Sequence, residues 1–363
     1  MTDAIKTELQ KGIQDGVFPN AEVLVAKEGA VILTEHAGQF ADPQNAFFDL
    51  ASLTKPLSTA ILCMIAFQRG AIHLDDTPRR FFKSTVLGDF TIRELLNHTA
   101  GMIDWAPFYA EMIHQKYPDY QANKKKILRM ILSNDDMDRL SRDTRYSDVG
   151  YILLGAILEK VCGAPLDVLF KTQIADPLNI ADQIFFCPLD KKDPHLKKEI
   201  FVPSTCCTLR KRVIQAEVMD RNCSVMGGVS GHAGLFSNAR TIHVILSELR
   251  LASQGKSALI NKETFDLFAR PAKDREWHKL CYTLGFDTPT QGISQAGNLF
   301  SKNTIGHLGY AGTSFWWDLD RDFWMILLTN RCMPDRKNIK VRKFRPALHD
   351  FILNHLKLQG GVI

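Results

Sequence analysis

The sequence predicts an α/β protein in which both ends of the chain build one domain and a mainly helical domain is inserted between them. Strand-forming runs lie near both ends, at 21–35 and 315–329, while helical periodicity dominates from about 53 to 180. The chain has 363 residues, enough for two domains of about 150 residues each. We therefore expect an active-site cleft at the junction of two units. Their bounds are 1–55 together with 235–363 for the α/β domain and 56–234 for the helical domain.

The amino-terminal elements follow from local signals. Residues 2–16 predict a polar helix that ends at a glycine. Two β-rich runs, 21–26 and 31–35, flank a Glu-Gly pair, and this pattern is typical of a hairpin. Residues 53–69 have a helical pattern with a glycine directly after it.

The middle of the chain is predicted to be helical and then irregular. Helices are expected at 90–97 and 148–162. Gly163 would end the second helix, and Pro165 would start another. Residues 188–222 are rich in charged side chains and predict irregular structure.

The carboxyl-terminal third returns to mixed structure. A helix is predicted near 241–252, and strands are predicted at 315–317 and 323–329. A final amphipathic helix is expected from 345 to 356, with Pro346 in its first turn, where a missing N–H costs nothing.

Composition excludes several classes of protein. The net charge of +5 is too small and too dispersed for a nucleic-acid-binding surface. The most apolar charge-free window, Pro56 to Gln68, has 13 residues, whereas a membrane span needs about 20. The first residues lack the basic start and apolar run of a signal peptide, and the eight cysteines show no zinc spacing. We therefore expect a cytoplasmic protein with reduced thiols and with no nucleic-acid or membrane partner.

A candidate nucleophile lies at the start of the helix predicted from residue 53. Ser52 and Lys55 form an S-x-x-K pattern, and a spacing of three residues places them on one helix face. A desolvated lysine can remove the proton of a serine hydroxyl, which is a weak nucleophile by itself. By itself, the pattern favours a capping serine beside a surface lysine, because chance matches to S-x-x-K are frequent.

Two further segments strengthen the catalytic interpretation. Tyr146 lies just before a predicted helix that begins at Asp148. A tyrosine beside a lysine can act as a general base or a proton shuttle. The segment 306–310, Gly-His-Leu-Gly-Tyr, contains glycines that permit close approach of a substrate to the backbone.

With these motifs in this order, the chain resembles the serine β-lactamase and penicillin-binding-protein superfamily, specifically its class C-like branch of esterases and D-alanyl-peptidases. The resemblance extends from about residue 18 to 355. It implies an antiparallel sheet flanked by helices and an inserted all-helical domain. Six stretches carry the resemblance: 52–55, 95–102, 146–148, 227–237, 307–309 and 328–331.

The resemblance implies a role for each matching residue. The reaction would be acylation of a serine by a small ester, amide or peptide, followed by hydrolysis, without a metal or an organic cofactor. Ser52 would be the nucleophile, Lys55 its activating neighbour, and Tyr146 the general base and acid. The backbone N–H groups of Ser52 and Tyr310 would form the oxyanion hole, and Asp148, His307 and Gly309 would line the substrate groove.

Two residues depart from the family motifs. Asp148 stands where the Y-x-N motif has Asn, so it could pair with Lys55, keep it protonated and leave Tyr146 as the main base. His307 stands where K-T-G has Lys, and a neutral histidine supplies no permanent positive charge. With an ordinary pKa, His307 would gain a charge near pH 6 or below. We therefore expect better hydrolysis of short esters than of β-lactams.

Three other interpretations are open to comparison. A metal hydrolase would need clustered ligands, but His98, His232 and His307 match no metal motif. An α/β-hydrolase would need G-x-S-x-G, and the segment around Ser230 lacks the last glycine. The alternative from another class is a binding or scaffold protein that keeps the fold and has weak activity or none, because a fold alone does not establish chemistry.

Overall fold

The main sheet of the protein combines strands from both ends of the chain. The computed structural model describes residues 2–138, 143–191, 197–271 and 279–356. Five antiparallel strands lie in the order β2-β1-β10-β9-β8. The antiparallel sheet expected from the family resemblance is therefore confirmed. The ten strands of the described chain are β1 (Ala21–Lys27), β2 (Ala30–Ala37), β3 (Phe48–Asp49), β4 (Ile184–Phe186), β5 (Thr205–Cys207), β6 (Arg212–Ile214), β7 (Leu235–Ser237), β8 (Thr304–Leu308), β9 (Ser314–Asp318) and β10 (Phe323–Thr329).

Helices cover both faces of this sheet. Along β1, Val23 and Val25 belong to the core beneath the terminal helices, while Leu24 and Ala26 belong to the larger core on the opposite face. This alternation is the period of two that a strand imposes on its side chains. The α-helices are α1 (Thr2–Gln14), α2 (Ile61–Gln68), α3 (Pro78–Phe81), α4 (Ile92–Leu96), α5 (Tyr120–Leu132), α6 (Asp148–Cys162), α7 (Leu166–Phe170), α8 (Arg221–Val225), α9 (Ala239–Ser253), α10 (Lys262–Ala269) and α11 (Val341–His355).

Two smaller sheets lie outside the five-stranded one. The first has the order β3-β7-β4 and so joins the strand before the candidate nucleophile to a strand from the middle of the chain. The second is the short hairpin β5-β6. Residues 188–222 were expected to be irregular, and this expectation is wrong in part, because the segment contains β5, β6 and the first residues of α8. A three-residue strand is too short to show a clear period in the sequence.

The helix predicted over 148–162 is confirmed residue for residue, because both of its ends are capped locally. The Ser147 side chain accepts a hydrogen bond from the Gly150 N–H. Gly163 ends the helix with φ of +68°, a left-handed conformation that glycine adopts without strain.

The last helix begins earlier than predicted. It starts at Val341, so Pro346 lies inside it rather than in its first turn. Proline has no N–H to offer to the carbonyl group four residues earlier, that of Arg342. The Gln295 side-chain amide donates to that carbonyl group instead, at 3.2 Å. A tertiary contact therefore compensates the proline, and the local sequence could not reveal it.

Within the described ranges, no helix is both long and apolar enough to cross a bilayer.

Candidate active site

The turn that carries Ser52 is held in a strained backbone conformation. Ala51, directly before it, has φ of +49°, which is unfavourable for a residue with a Cβ atom. The buried Asp49 carboxylate supports this turn by accepting from the Ala51 N–H at 2.9 Å and from the Met219 N–H at 2.7 Å. Burial raises the pKa of Asp49 to about 6, although these two hydrogen bonds oppose the rise.

The helical segment after this turn places Lys55 next to Ser52. It begins as a 3₁₀ turn over Ala51–Leu53, passes through a π-helical turn over Lys55–Ala60 and continues as α2. Lys55 Nζ donates to Ser52 Oγ at 3.1 Å. The predicted proximity of the S-x-x-K pair is therefore present, with the lysine fully buried rather than at the surface.

Lys55 Nζ contacts four oxygen atoms of the site. Besides Ser52 Oγ, it contacts Tyr146 Oη at 2.6 Å, Asp148 Oδ1 at 2.6 Å and the His232 carbonyl oxygen at 3.3 Å. Tyr146 is also hydrogen-bonded to Ser52. The first two segments singled out in the sequence, 52–55 and 146–148, thus meet at Lys55, and the predicted pairing of Asp148 with Lys55 is present.

Burial dominates the protonation of these groups. It lowers the pKa of Lys55, and the Asp148 carboxylate offsets part of this effect. Burial, together with Asp148, raises the pKa of Tyr146 well above its ordinary value. The resting site therefore holds a protonated tyrosine beside an amine whose proton is unusually easy to remove.

The position of Tyr146 and Asp148 is set by loops that precede α6. The Ser147 N–H donates to His98 Nδ1 at 3.0 Å, and Ser147 Oγ donates to the Ile103 carbonyl oxygen at 2.6 Å. The Asp148 N–H donates to the Asp104 carbonyl oxygen at 2.8 Å. Because Ser147 also caps α6, one residue fixes both the start of the helix and the orientation of its two neighbours.

The third segment brings strand β8 to the nucleophile. Gly309 lies so close to the start of the catalytic turn that an added Cβ atom would be 1.9 Å from Thr313 Oγ1 and 2.7 Å from the Leu50 carbonyl oxygen. Glycine is therefore required here by close packing. This packing brings the segment before Tyr310 against the turn that precedes Ser52, and Ser52 and Tyr310 both line the same cleft.

His307 differs electrostatically from the sequence-based expectation. Its Nδ1 lies 2.9 Å from the Leu308 carbonyl oxygen, which can only accept, so Nδ1 carries the proton. Burial, and secondarily Lys55, lowers the pKa of His307 to about 3. The ordinary pKa that would have given His307 a charge near pH 6 is therefore absent. His307 is a neutral residue whose Nε2 is left without a partner among the described residues.

A Ser-His-Asp chain in the cleft wall, with Ser230 and His232 buried and Asp220 partly exposed, was not identified from the sequence. His232 Nδ1 is 2.9 Å from Ser230 Oγ, and His232 Nε2 is 3.0 Å from Asp220 Oδ1. Although burial opposes ionisation, His232 and the Cys223 N–H hold the pKa of Asp220 well below its ordinary value. Both ring nitrogens of His232 are occupied, and its carbonyl group contacts Lys55, so the chain fixes this part of the wall. A signal in the sequence was Asp220 at the N-cap of α8.

These residues surround a cleft of about 890 Å³. Six of the seven predicted site residues line it, and Lys55 lies beneath its floor. Sequence reasoning did not identify the other charged and aromatic lining residues, because they come from distant segments. Those the structure adds are Asp104, Trp105, Asp220, Arg221, Tyr282, Asp287, Arg331, Arg336, Arg342 and Arg345. In the described part of the chain, no group of His, Cys, Asp and Glu side chains is arranged to hold a metal ion.

Comparison with known proteins gives consistent relatives. The family model described as Beta-lactamase matches residues 5–345. A protein of Escherichia coli (strain K12) named "Putative D-alanyl-D-alanine carboxypeptidase" is 28% identical over 359 residues, covering 86% of this chain and 79% of its own length. The N-acetylmuramyl-L-alanine amidase of Bacillus subtilis (strain 168) is 27% identical over 349 residues, covering 86% of this chain and 77% of its own. The solved structure of EstCE1, a hydrolase with promiscuous acyltransferase activity, has a TM-score of 0.70 at 21% identity and covers 95% of this chain and 98% of that one.

Proposed function

The chain belongs to the beta-lactamase family, and on that premise we propose that it is a serine hydrolase that forms an acyl-enzyme on Ser52 and then hydrolyses it. The observation that carries the proposal is the arrangement around Lys55 Nζ, which has Ser52 Oγ, Tyr146 Oη and Asp148 Oδ1 within 3.1 Å. Relatives named as carboxypeptidase, amidase and hydrolase support it.

Acylation needs a group that accepts the Ser52 proton. Lys55 passes one proton to Asp148 across 2.6 Å and takes the Ser52 proton across 3.1 Å. Ser52 Oγ bonds to the substrate carbonyl carbon, and the carbonyl oxygen becomes an oxyanion. The N–H groups of Ser52 and Tyr310 would stabilise this charge.

Collapse of the tetrahedral intermediate needs a proton for the leaving group. Tyr146 starts protonated, because burial raises its pKa, and it donates that proton to the departing alcohol or amine. Lys55 reprotonates Tyr146, and Asp148 returns its proton to Lys55. The products of this step are the Ser52 ester and the neutral leaving group.

Deacylation repeats the path with water as the nucleophile. A water proton passes to Tyr146, and onward through Lys55 to Asp148 as the water oxygen bonds to the acyl carbon. Tyr146 then protonates Ser52 Oγ as it leaves, and the acid is released. Lys55 reprotonates Tyr146 and Asp148 returns its proton to Lys55, which regenerates the resting site. Tyr146 thus serves as both acid and base, as the family resemblance implies.

The substrate class follows from the neutral third segment. His307 carries no charge at physiological pH, because burial lowers its pKa to about 3. A carboxylate placed beside the reacting carbonyl, as in a β-lactam, therefore finds no cation from this strand. We propose small esters or amides as substrates. We further propose that the cleft lies between an α/β unit (1–55 with 235–363) and a helical unit (56–234).

The test is covalent labelling with a fluorophosphonate, followed by intact mass measurement and hydrolysis of p-nitrophenyl butyrate. We expect one adduct per chain, on Ser52, and neither labelling nor turnover in Ser52→Ala. Ser230→Ala is the matched control, because Ser230 also has an adjacent base, His232, yet is buried. It should still be labelled. If the wild-type chain is neither labelled nor active, the alternative of a non-catalytic binding protein replaces this proposal.

A further inference from the structure

A strongly basic segment forms one wall of the cleft. Between residues 331 and 345 the sequence has seven Lys or Arg residues and one acidic residue, Asp335. The net charge of this segment, +6, exceeds the +5 of the whole chain. Four of its arginines line the cleft: Arg331, Arg336, Arg342 and Arg345. Charge at this density in a concave site raises the local concentration of anions.

We propose that these four arginines bind a carboxylate on the substrate, at a position separate from the reacting carbonyl group. This inference rests on the proposed hydrolase function and specifies its substrate class as esters or amides that carry a remote carboxylate. We call the four side chains the arginine wall.

Tyr310 connects the arginine wall to the reacting centre. The Arg331 guanidinium lies over the Tyr310 ring, 4.5 Å from its centroid, and the Arg336 guanidinium lies 5.2 Å from the same centroid. The backbone of Tyr310 is the proposed oxyanion donor, so its ring and its N–H serve two parts of one ligand. An anion beside the ring would be held near the acyl group without contacting His307.

The guanidinium groups are oriented by neutral oxygens. Arg331 donates to the backbone carbonyl groups of Arg336, at 3.1 Å, and of Asn338. Arg345 donates to Gln295 Oε1 at 3.0 Å and to the Gly312 carbonyl oxygen at 2.9 Å. These contacts fix the side chains of Arg331 and Arg345, and none of them pairs a guanidinium group with a carboxylate.

Arg345 shows the cost of this arrangement. Only 3% of the residue is exposed, and its Nε has no partner among the described residues. Burial and the nearby Arg331 and Arg342 lower the pKa of Arg345 to about 9. Arg336 Nη1 is likewise buried without a hydrogen-bond partner within the described ranges. A buried charge and unused donors are unfavourable in a free protein, and a bound carboxylate would satisfy both.

Four residues with carboxylates line the cleft: Asp104, Asp148, Asp220 and Asp287. The Asp104 carbonyl oxygen accepts from the Asp148 N–H, and the Asp287 charge raises the pKa of Tyr146, so both lie near the proton path. Asp148 pairs with Lys55, and Asp220 pairs with His232. Arg336 acts on Asp220 only as a more distant charge. The cleft is therefore polarised, with carboxylates around the proton path and guanidinium groups beyond Tyr310. This polarity orients a substrate that has one anionic end.

The experiment compares esters that differ only in a carboxylate. One pair carries it on the leaving group (4-butyryloxybenzoate and its methyl ester), and the other carries it on the acyl group (monophenyl adipate and phenyl hexanoate). We expect the wild-type chain to favour the carboxylate in at least one pair. In Arg336→Gln/Arg342→Gln that preference, as a ratio of kcat/KM values, should fall about tenfold or more, which is the effect of a lost charge-assisted hydrogen bond.

Lys343→Gln is the matched control. It removes the same charge from α11 at an exposed position outside the cleft, so the preference should not change. Added KCl should raise KM for the carboxylate ester in the wild-type chain more than in the double variant. Arg336→Lys keeps the charge but loses the fork geometry and should give an intermediate preference.

A wild-type chain that hydrolyses both members of each pair equally well would overturn this inference and leave the proposed function intact. The inference would also be overturned if the wild-type chain, the double variant and Lys343→Gln all showed the same preference for the carboxylate ester. The carboxylate esters are also titrated calorimetrically into Ser52→Ala with and without the double substitution. This titration measures binding of the carboxylate ester without turnover, so it tests the inference even if the chain proves inactive. Equal affinity in both proteins would refute the arginine wall as an anion site.

Discussion

Tyr146→Phe isolates the proton path from the rest of the site. The substitution keeps the ring and removes Oη, which contacts Lys55 Nζ at 2.6 Å and Ser52. Lys55 has three N–H groups, and three acceptors remain: Ser52 Oγ, Asp148 Oδ1 and the His232 carbonyl oxygen. No buried donor is stranded, so the free energy of unfolding should change by less than about 1 kcal/mol.

Turnover should respond far more strongly than stability. Loss of a general acid–base group costs about 10²–10⁴-fold in rate, or roughly 2.7–5.4 kcal/mol in the activation barrier. Because Tyr146 protonates the leaving group in the proposed path, the loss should be larger for a p-methoxyphenyl ester than for a p-nitrophenyl ester. The p-nitrophenolate leaving group is stable as an anion and needs no proton from the enzyme.

Tyr151→Phe is the matched control for this measurement. Tyr151 is also buried, its ring centroid is 5.6 Å from Lys55 Nζ, and its hydroxyl donates to the Leu96 carbonyl oxygen at 3.0 Å. It lies outside the proposed path, so kcat should change little. The assay is kcat for both esters in the wild-type chain and both variants, with urea unfolding as the measure of stability. A loss below tenfold in Tyr146→Phe, or an equal loss in Tyr151→Phe, would refute the reasoning.

Three further predictions concern charge. His307→Lys supplies the missing cation, so the ratio of kcat/KM for nitrocefin to that for p-nitrophenyl butyrate should rise; efficient nitrocefin hydrolysis by the wild-type chain would contradict this. Burial holds the pKa of both His307 and His349 near 3, below the unfolded value of about 6.5. Between pH 3 and about 6.5, the folded chain therefore binds fewer protons than the unfolded chain. Its free energy of unfolding should therefore fall as the pH drops from about 6.5 toward 3, by up to about 4 kcal/mol per histidine, and urea titrations of His349→Asn should show a shallower dependence. Asp49→Asn replaces one carboxylate oxygen with an NH2 group, so the N–H of either Ala51 or Met219 loses its acceptor. The free energy of unfolding in urea should fall by about 1–3 kcal/mol, and kcat should also fall. An unchanged kcat would show that the turn holds without Asp49.

The sequence by itself determined the features that depend on near neighbours along the chain. The hairpin of β1 and β2, the bounds of α6 and the proximity of Ser52 to Lys55 follow from turn residues, caps and helical spacing. Pairing of Asp148 with Lys55 was also predicted, although only the family resemblance brought these two residues together. Interactions over three or four residues are set by backbone geometry, so a single sequence contains them.

Only the tertiary structure decided the features that depend on distant segments. The start of α11 was mispredicted, because Gln295 satisfies the carbonyl group that Pro346 leaves free. The pKa of His307 depends on its burial beneath other segments, which no local pattern reports. The pairing of Asp220 with His232 and the approach of Arg331 and Arg336 to the Tyr310 ring likewise require the folded chain. Desolvation and long-range charge act through space, so the sequence lists the groups and only the fold sets which of them meet.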